Sequence, residues 1–553
     1  MRTKEQTKVC ESCKTEFKID SGDFDLYEKI GLNVPDICPE CRWKQYFSFS
    51  VFGKFRKGVS DLSGESFITV LPANSRYPIY SSHEWWGDAW DAMNFGQDYD
   101  PGRSFFDQLK DLQEKIPRPH QVGEHNTNCD WSDDAWGCKN CYLSRSMDKC
   151  ENLSYAYRVI DSKDSLDLVY SFNMQDSYDC LFCHNSFDLN FSENSRDCIN
   201  SYFLFDCRNC QNCFMSYNLR NKQFCIRNKQ YTKDEYFKEL GKINLGSHKN
   251  IEILKSEFAN LTKEEVVHRE NFNIKTTNST GNYMTNCNKC SNVFSWEDSQ
   301  NCRNSMRGLR CKDSIDQAFT WNTEASGDNA TVDGGYQIKH SARSIGRYSE
   351  YLDLCQEVEY CFGCVGLRKK KYCILNKQYT KEEYENLRDK IVKDMTKRRE
   401  YGKFLPYSMG LGYYNFSNAM VYFPNITKEE VITKGGYWSE EDLSSHDGIS
   451  SLELPDSISG TSPDIVKQAL VCPETKYRFN IAASEYDFHK RKNFALPRLH
   501  FDRRILKQAV KMTTTRSYPY KCFYCGKDIM AYYPPEWGYK KIACEECYKQ
   551  NIA

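Results

Sequence analysis

Eight cysteines near the two ends of the chain have the residue type and the spacing of metal ligands. Each end carries two Cys-x-x-Cys pairs, separated by 24 residues in the first set and by 18 in the second. Four thiolates that converge in this way complete a tetrahedral shell around zinc, and such a closed shell stabilises a small fold without leaving a position for a substrate. We therefore predict zinc as the cofactor, two ions per chain, held by Cys10, Cys13, Cys38, Cys41, Cys522, Cys525, Cys544 and Cys547.

The two ends are copies of one double-ribbon module, because a shift of 462 positions aligns them without a gap. The shift places Phe17 on Phe479, Pro35 on Pro497, Arg42 on Arg504, Gly64 on Gly526 and Tyr77 on Tyr539. Each copy has kept the thiols of a different ribbon. The missing thiols are replaced by Ser60, Ser63, Ser82 and Trp85 in one copy, and by Thr475, His500 and Arg503 beside Cys472 in the other. Hydroxyl and guanidinium groups are poor zinc ligands, so we expect these two ribbons to hold no metal.

Nineteen further cysteines lie between Cys129 and Cys373, in a repetitive region rich in Asn, Asp, Ser and aromatic residues. Nine of them directly follow an Asn or Asp, and these two residue types tolerate tight turns. We interpret the region as a β-solenoid with coils of about 13 to 18 residues, in which stacked coils bury ladders of thiols and rings. The alternatives are a chain of small zinc knuckles, or additional zinc or iron–sulfur ligation by the interior Cys-x-x-Cys pairs.

A second duplication divides this array into two halves. The segment from Cys213 to Tyr236 recurs 148 positions later as the segment from Cys361 to Tyr384. Both copies end in a Thr followed three residues later by a Glu, which is the spacing of a capping box at the start of a helix. The same spacing occurs at Thr232, Thr262, Thr380 and Thr427. We expect a helix to cover the end of each half-array as a polar lid.

The sequence thus predicts a mainly β protein with some α-helix, in which zinc-ribbon modules at both ends flank a duplicated Cys/Asn-rich β-solenoid-like repeat array capped by helices. The predicted segments are a double-ribbon module at 1–83, a Trp-rich helical connector at 84–123, the first half-array at 124–245, a connector at 246–281, the second half-array at 282–400, a mixed segment with a Ser-rich linker at 401–470, and the second double-ribbon module at 471–553.

Two resemblances accompany these motifs. The first ribbon, from Val9 to Arg42, resembles the zinc-ribbon or treble-clef domain family. The order of the whole chain, with its repeated Asn-Lys-Gln-Tyr-Thr-Lys motif, is similar to a group of Cys-rich zinc-ribbon proteins from candidate-phyla bacteria for which no activity is established. The resemblance implies this architecture and brings no substrate or partner.

Charge is distributed unevenly, although the net charge of the chain is only −1. Residues 130–213 carry fourteen acids against seven bases, whereas residues 485–553 carry seven acids against fourteen bases. Basic residues interleaved with aromatic ones can contact phosphates and stacked bases, although a charge run is more often a solvated face. The candidates for nucleic-acid contact are Arg503, Arg504, Lys507 and Lys511.

Motifs of known enzyme classes are absent from the sequence: it contains no phosphate-binding loop, no His-Glu-x-x-His and no nucleophile elbow. It also lacks an apolar run long enough to span a membrane and an apolar signal core near Met1, so we expect a cytoplasmic protein. We predict a non-enzymatic zinc-binding scaffold or adaptor that binds another macromolecule, an unidentified protein or RNA. The alternatives are an RNA- or ribosome-binding protein that acts through the basic C-terminal module, and a metal–cysteine redox or electron-transfer protein.

Overall fold

The computed structural model of the protein describes residues 5–444, 447–512 and 515–552. Residues 1–4 of the predicted first module, residues 445–446 of the Ser-rich linker and residues 513–514 and 553 of the second module lie outside the described residues. The structure is mainly β, with 34% strand and 26% helix, and its dominant feature is a β-solenoid of about 21 turns in the two halves together. The predicted fold class is therefore confirmed.

The chain divides into two compact units, each of which joins one half of the solenoid to one ribbon module. The first unit contains Met1–His120 and Asn271–Ser439, and the second contains Gln121–Glu270 and Glu440–Ala553. The N-terminal module therefore belongs to a unit with the second half-array, and the C-terminal module belongs to a unit with the first. The finer segment boundaries given above stay predictions.

In the first unit, ten strands form the solenoid: Gly281–Thr285, Ser291–Glu297, Gln300–Leu309, Lys312–Glu324, Gly327–Ala330, Asp333–Lys339, Gly346–Glu350, Val358–Phe362, Lys371–Ile374 and Lys377–Gln378. Three strand pairs build the module: Gln6–Val9 with Glu16–Ile19, Arg56–Val59 with Ser66–Thr69, and Ile79–Tyr80 with Arg118–Pro119. The helices are Ser21–Ile30, Pro39–Phe47, Ser82–Trp86, Phe105–Lys115, Lys381–Lys397, Asn418–Tyr422 and Lys428–Thr433.

In the second unit, twelve strands form the solenoid: Gly123–Glu124, Ser132–Trp136, Ser144–Asp148, Tyr157–Ile160, Leu166–Val169, Phe172–Gln175, Tyr178–Leu181, His184–Glu193, Ile199–Phe205, Gln211–Tyr217, Gln223–Ile226 and Lys229–Gln230. The other strands are Val267–Arg269 with Lys541–Ala543, Tyr518–Lys521 with Asp528–Ala531, and the set Ile449–Ser450, Leu470–Val471 and Arg478–Phe479. The helices are Lys233–Leu240, His248–Glu264, Ala483–Lys492, Phe501–Ala509 and Glu545–Asn551.

Most coils of the solenoid contain twelve residues, so the predicted coil length of about 13 to 18 residues is wrong. Parallel pairing aligns Arg145 with Tyr157 and Tyr157 with Val169, each twelve positions on. A few coils of the first unit have eleven residues, as where Ile338 pairs with Ser349. The sequence conceals this period because the inward positions accept Cys, Ser, Leu, Val and Met alike, which blurs any single-residue repeat.

The coil turns at every third residue, where the backbone adopts a left-handed conformation. In the stretch from Asn194 to Asp206 this conformation recurs at Asn194, Asp197, Asn200, Phe203 and Asp206, with φ between 47° and 56°. Four such residues in a twelve-residue coil give the coil four corners. Asn and Asp adopt positive φ more readily than other non-glycine residues, so their enrichment in the array has a direct backbone cause.

Helices follow the last coil of each half, and three of the four predicted capping boxes are present. Thr232, Thr380 and Thr427 each accept a hydrogen bond from the amide of the Glu three residues on, and that Glu caps the Thr amide in return. The prediction at Thr262 is wrong. Thr262 lies inside the helix His248–Glu264, which begins after Ser247, and its hydroxyl donates to the Phe258 carbonyl.

The segment that the sequence marks as Ser-rich carries apolar residues that pack within the second unit. Leu454 and Ile458 are buried in one cluster with Ile465 and Cys472. Along the described ranges, none of the helices has the length and apolarity that crossing a bilayer requires.

Candidate metal centres

The four N-terminal cysteines converge on one point. The thiol sulfurs of Cys10, Cys13, Cys38 and Cys41 all lie within 4.8 Å of one another, and the Sγ atoms of Cys13 and Cys38 are 3.7 Å apart. A tetrahedron of sulfurs about 2.3 Å from a zinc ion has edges of about 3.8 Å, which fits this separation. The amides of Cys13 and Cys38 both donate to Cys10 Sγ, at 3.5 and 3.3 Å.

The C-terminal cysteines repeat this arrangement. The sulfurs of Cys522, Cys525, Cys544 and Cys547 also lie within 4.8 Å of one another. Cys525 Sγ and Cys544 Sγ are 4.0 Å apart, and the amide of Cys544 points at Cys522 Sγ at 3.3 Å. Both predicted four-cysteine groups are therefore assembled, and each can hold a metal ion. Four thiolates suit a soft ion and leave no open position for a reacting ligand.

Contacts between thiols separate the pKa values within each group. The hydrogen bond between Cys38 and Cys41 lowers the pKa of Cys41 to about 5 and raises that of Cys38. At Cys522, burial is outweighed by hydrogen bonds from the amides of Cys525 and Cys544, and the pKa falls to about 6. One sulfur in each group is therefore already a thiolate at neutral pH, which favours capture of a cation.

The backbone of the zinc knuckle occurs four times in the chain, although only two copies carry four thiols. Residues 14, 64, 476 and 526, which the duplication aligns, all have positive φ, between 60° and 78°. In each knuckle the amide of that residue donates to the carbonyl four positions earlier, at 2.9 to 3.0 Å. The shape of the module is therefore retained where the metal ligands are lost.

In the N-terminal copy, a carboxylate organises the ribbon that lacks thiols. Ser60 Oγ donates to Glu84 Oε2 at 2.5 Å, and the Ser81 amide donates to the same oxygen at 2.8 Å. Burial is outweighed by these bonds and by one from Ser63, so the pKa of Glu84 falls to about 2. Hydrogen bonds to the Glu84 carboxylate thus connect the knuckle at Ser60 to the helix Ser82–Trp86, in the place where four cysteines and a metal ion could connect them.

In the C-terminal copy, ion pairs connect the first ribbon. Glu474, in the knuckle, accepts from Arg503 at 2.5 Å and from Lys507 at 2.5 Å, and both cations lie on the helix Phe501–Ala509. Arg503 occupies the position of Cys41. A pair of surface ion pairs therefore connects knuckle and helix at the place where thiols do so in the other copy.

All four residues predicted to contact nucleic acid have carboxylate partners in the second unit. Arg503 and Lys507 share Glu474, as described above. Arg504 is nearly buried, and its guanidinium lies 2.6 Å from Asp167 and 3.1 Å from Glu485. Lys511 is paired with Glu193. Nucleic-acid contact through these four residues stays a prediction, and the positive charge available for it is smaller than the sequence suggests.

The side chains that dock each module on its solenoid were not predictable from the sequence. In the first unit, Arg42 Nη2 lies 2.5 Å from Asp316 Oδ1, and Tyr46 donates to Asp328 at 2.5 Å. In the second unit, the corresponding residues are Arg504 with Asp167 and Gln508 with Asp179. The alignment of Arg42 with Arg504 was the available signal, but nothing in the sequence indicated which acids they meet.

The interior cysteines have a common structural role. The residue directly before each of the nineteen, whether glycine or another type, has positive φ. Each thiol donates a hydrogen bond to the carbonyl two residues earlier, at 3.2 to 3.7 Å. Serine does the same at other corners: Ser186 Oγ donates to the His184 carbonyl and accepts from the Cys198 amide. The Ser186 hydroxyl thereby gives the Cys198 amide an acceptor, whereas the His184 carbonyl also accepts from the Asp197 amide at 3.1 Å.

Within the part of the chain that the structure describes, the two terminal groups are the places where three or more metal-binding side chains converge. All 28 cysteines are free thiols. The interpretation of the interior as buried thiol ladders agrees with this geometry, and the question of additional metal there stays open to experiment.

The fold and the sites together define a β-solenoid protein with a four-cysteine group that can hold a metal ion near each terminus. No family model matches the chain, and no curated protein matches it. Its backbone has a similarity to a crystal structure described as a "putative acetyltransferase" from Desulfovibrio desulfuricans G20, with 11% identity and a TM-score of 0.11. That match covers 43% of this chain and 65% of the other, so it spans less than two thirds of that protein, and at this TM-score it carries no argument. The resemblance to a bacterial zinc-ribbon group therefore gains no support from a family match.

Proposed function

We propose that the protein is a non-enzymatic zinc-binding scaffold or adaptor, in which one zinc ion at each end has a structural role. A four-thiolate shell gives zinc no exchangeable ligand, so it can neither activate water nor polarise a substrate. The expected effect of the metal is on the folding of the ribbon that it closes.

The observation that carries this proposal is the connection between the N-terminal centre and the helix that docks on the solenoid. Cys38 is the N-cap of the helix Pro39–Phe47, and Cys41 lies in its first turn. The next residues of the helix reach the array: Arg42 pairs with Asp316, and Trp43 Nε1 donates to the Asn304 carbonyl at 3.0 Å. Metal binding at the cysteines thereby fixes the direction of the helix that carries the docking side chains.

The C-terminal copy supports the same structural role, because ion pairs stand there in place of the metal-binding cysteines. Its equivalent helix docks through Arg504 although the equivalent ribbon has one cysteine, and Glu474 connects that helix to the knuckle instead. If the metal served catalysis or electron transfer, an ion pair could not replace it. An ion pair can replace a metal that holds two elements together.

The solenoid supplies the surface of the proposed adaptor. Because coils of twelve residues repeat the same outward positions, side chains form rows along the array at intervals of about 4.8 Å. Repeat proteins use such extended, regular faces to bind other macromolecules. Part of each coil stays accessible along the strands, as in Ser144–Asp148, where Ser146 and Asp148 are partly exposed.

Metal analysis of the purified protein tests the proposal. We expect mass spectrometry of the metal content to give two zinc ions per chain, and we expect a strong chelator to unfold the two terminal ribbons in circular dichroism and limited proteolysis. Four or more zinc ions would contradict the thiol-ladder interpretation. A brown protein with iron and visible absorption would favour the redox alternative, and a chelator-resistant fold of both ribbons would exclude a structural metal.

A further inference from the structure

A row of cationic side chains lies along one outward face of the solenoid in the second unit. Parallel bridges align His184 with Arg196, Arg196 with Arg208, and Arg208 with Arg220. Each step is one coil, so neighbouring side chains of the row start about 4.8 Å apart. Three arginines in consecutive coils therefore project from the same face in register.

A single carboxylate, that of Asp206, is shared by two of the three arginines of the row, Arg208 and Arg220. Asp206 is bound by Arg220 at 3.3 Å and accepts a hydrogen bond from the hydroxyl of Tyr548. The Nε atom of Arg208 lies 4.0 Å from Asp206, and it is buried without a hydrogen-bond partner. In the described ranges, the guanidinium group of Arg196 takes part in no ion pair and no hydrogen bond.

The other charged groups around the row do not change this balance. Asp197, next to Arg196 in the chain, is exposed and accepts a hydrogen bond from Asn185 at 3.3 Å. Burial, followed by the charge of Arg196, lowers the pKa of His184 to about 3, so His184 is neutral at physiological pH. Burial also lowers the pKa of Arg208, and the neighbouring Arg220, Arg269 and Arg196 lower it further against the opposing effect of Asp206.

Like charges directly opposite each other on neighbouring strands destabilise a sheet. A bound anion removes that repulsion, and the guanidinium group is suited to a tetrahedral oxyanion because its planar fork donates two parallel hydrogen bonds. We propose that Arg196 and Arg208 form a clamp for one phosphate group, with Arg220 held in place behind them by Asp206 and Tyr548. The clamp is independent of the metal centres and gives the scaffold a defined ligand chemistry. The phosphate group belongs either to a free phosphate or to the backbone of single-stranded RNA.

Thermal unfolding of the full chain tests the clamp. Sodium phosphate is compared with sodium chloride at equal ionic strength, for the native protein, for the double variant Arg196→Gln/Arg208→Gln, and for Lys163→Gln. Lys163 is an exposed cation on another face of the same solenoid, so it serves as the matched control. We expect phosphate to raise the melting temperature of the native protein and of the control, and to leave that of the double variant unchanged.

The same proteins are titrated into a fluorescently labelled single-stranded oligouridine at several salt concentrations. Binding that weakens about tenfold or more in the double variant, and is unchanged in Lys163→Gln, identifies RNA as the source of the phosphate group. A phosphate-specific thermal shift without such RNA binding identifies a free phosphate. If the native protein responds equally to phosphate and chloride and the oligonucleotide binds no more weakly to the double variant, the proposal is overturned.

Folding of the variants provides an independent check. Replacing both repelling cations leaves the sheet register intact, so in chloride the double variant should melt at or above the temperature of the native protein. A variant that melts much lower in chloride would show that the two arginines are structural, and that result also contradicts the clamp.

Discussion

Arg42 and Asp316 form a buried ion pair that docks the N-terminal module on its solenoid, with 2.5 Å between Nη2 and Oδ1. The hydroxyl of Tyr27 donates to the other oxygen of the same carboxylate at 2.7 Å. The pair recurs in the second unit as Arg504 with Asp167, at 2.6 Å. Docking is thus duplicated along with the module and the half-array, and one acid at a corner of a coil receives one arginine from the docking helix in both units.

The substitution Asp316→Ala tests the energetic weight of this docking. Both side chains of the pair are at least 95% buried, so removing the acid leaves a buried charge without compensation. We expect a loss of about 3 kcal/mol or more in the free energy of unfolding of the first unit, measured by chemical denaturation. The exposed pair Lys312 and Glu324 on the same solenoid is the control, and Glu324→Ala should cost less than about 1 kcal/mol. Equal effects of the two substitutions would contradict the assigned role.

Asp133 gives the second unit a pH dependence of defined sign. Burial, partly offset by a hydrogen bond from the Val122 amide, raises the pKa of Asp133 to about 7. Between pH 4 and pH 7 the folded state therefore keeps a proton on Asp133 that the unfolded state has released. The free energy of unfolding consequently decreases as the pH rises from about 4 to about 7.

Asp133→Asn removes this proton exchange and keeps an oxygen that can accept from the Val122 amide. Relative to the native protein, we expect the variant to gain roughly 2–4 kcal/mol of stability between pH 4 and pH 8. Chemical denaturation of both proteins at several pH values gives the difference directly. A difference that does not change with pH would mean that Asp133 titrates near its ordinary pKa.

The interior thiols and the terminal thiols should respond differently to serine. At Cys198 the thiol donates to the Arg196 carbonyl at 3.2 Å, and a hydroxyl makes the same bond at equivalent corners. We expect Cys198→Ser to change the stability by no more than about 1 kcal/mol and to retain two zinc ions. Cys41→Ser should lose one zinc ion and unfold the first ribbon. Loss of metal from Cys198→Ser would show that the array is a metal site.

The retained knuckle backbone predicts that a third metal site can be restored. The triple variant Thr475→Cys/His500→Cys/Arg503→Cys places three thiols beside Cys472, at the positions that align with Cys13, Cys38 and Cys41. Because the loop at Lys476 has the same positive φ and the same hydrogen bonds as the loop at Lys14, four sulfurs should converge there. We expect the zinc content to rise from two to three per chain. Thr475→Cys alone is the control and should stay at two; a folded triple variant with two zinc ions would contradict the equivalence.

The spacing of the cysteines, the two duplications and the Asn and Asp turn positions were readable from the sequence, because each of them depends on neighbours within a few residues. Zinc-knuckle geometry is set by a loop of four residues, and the capping boxes at Thr232 and Thr380 by a single turn of helix. Thr262 shows where prediction from local spacing fails. Thr262 and Glu265 have the spacing of a capping box, but Thr262 lies inside the helix His248–Glu264.

The sequence by itself determined the module, the solenoid and the two terminal groups of four cysteines, because local backbone preference and local spacing specify them. The tertiary structure alone decided which half-array each module packs on and which acid neutralises each arginine. Arg504 lies in a basic stretch of the sequence that resembles a solvated surface, but its side chain is nearly buried. Its partner Asp167 lies 337 positions away in the chain, so the sequence does not indicate this contact. Ion pairing and burial depend on residues that the chain brings together only when it folds, so the charge available to a partner could not be deduced from the order of the residues.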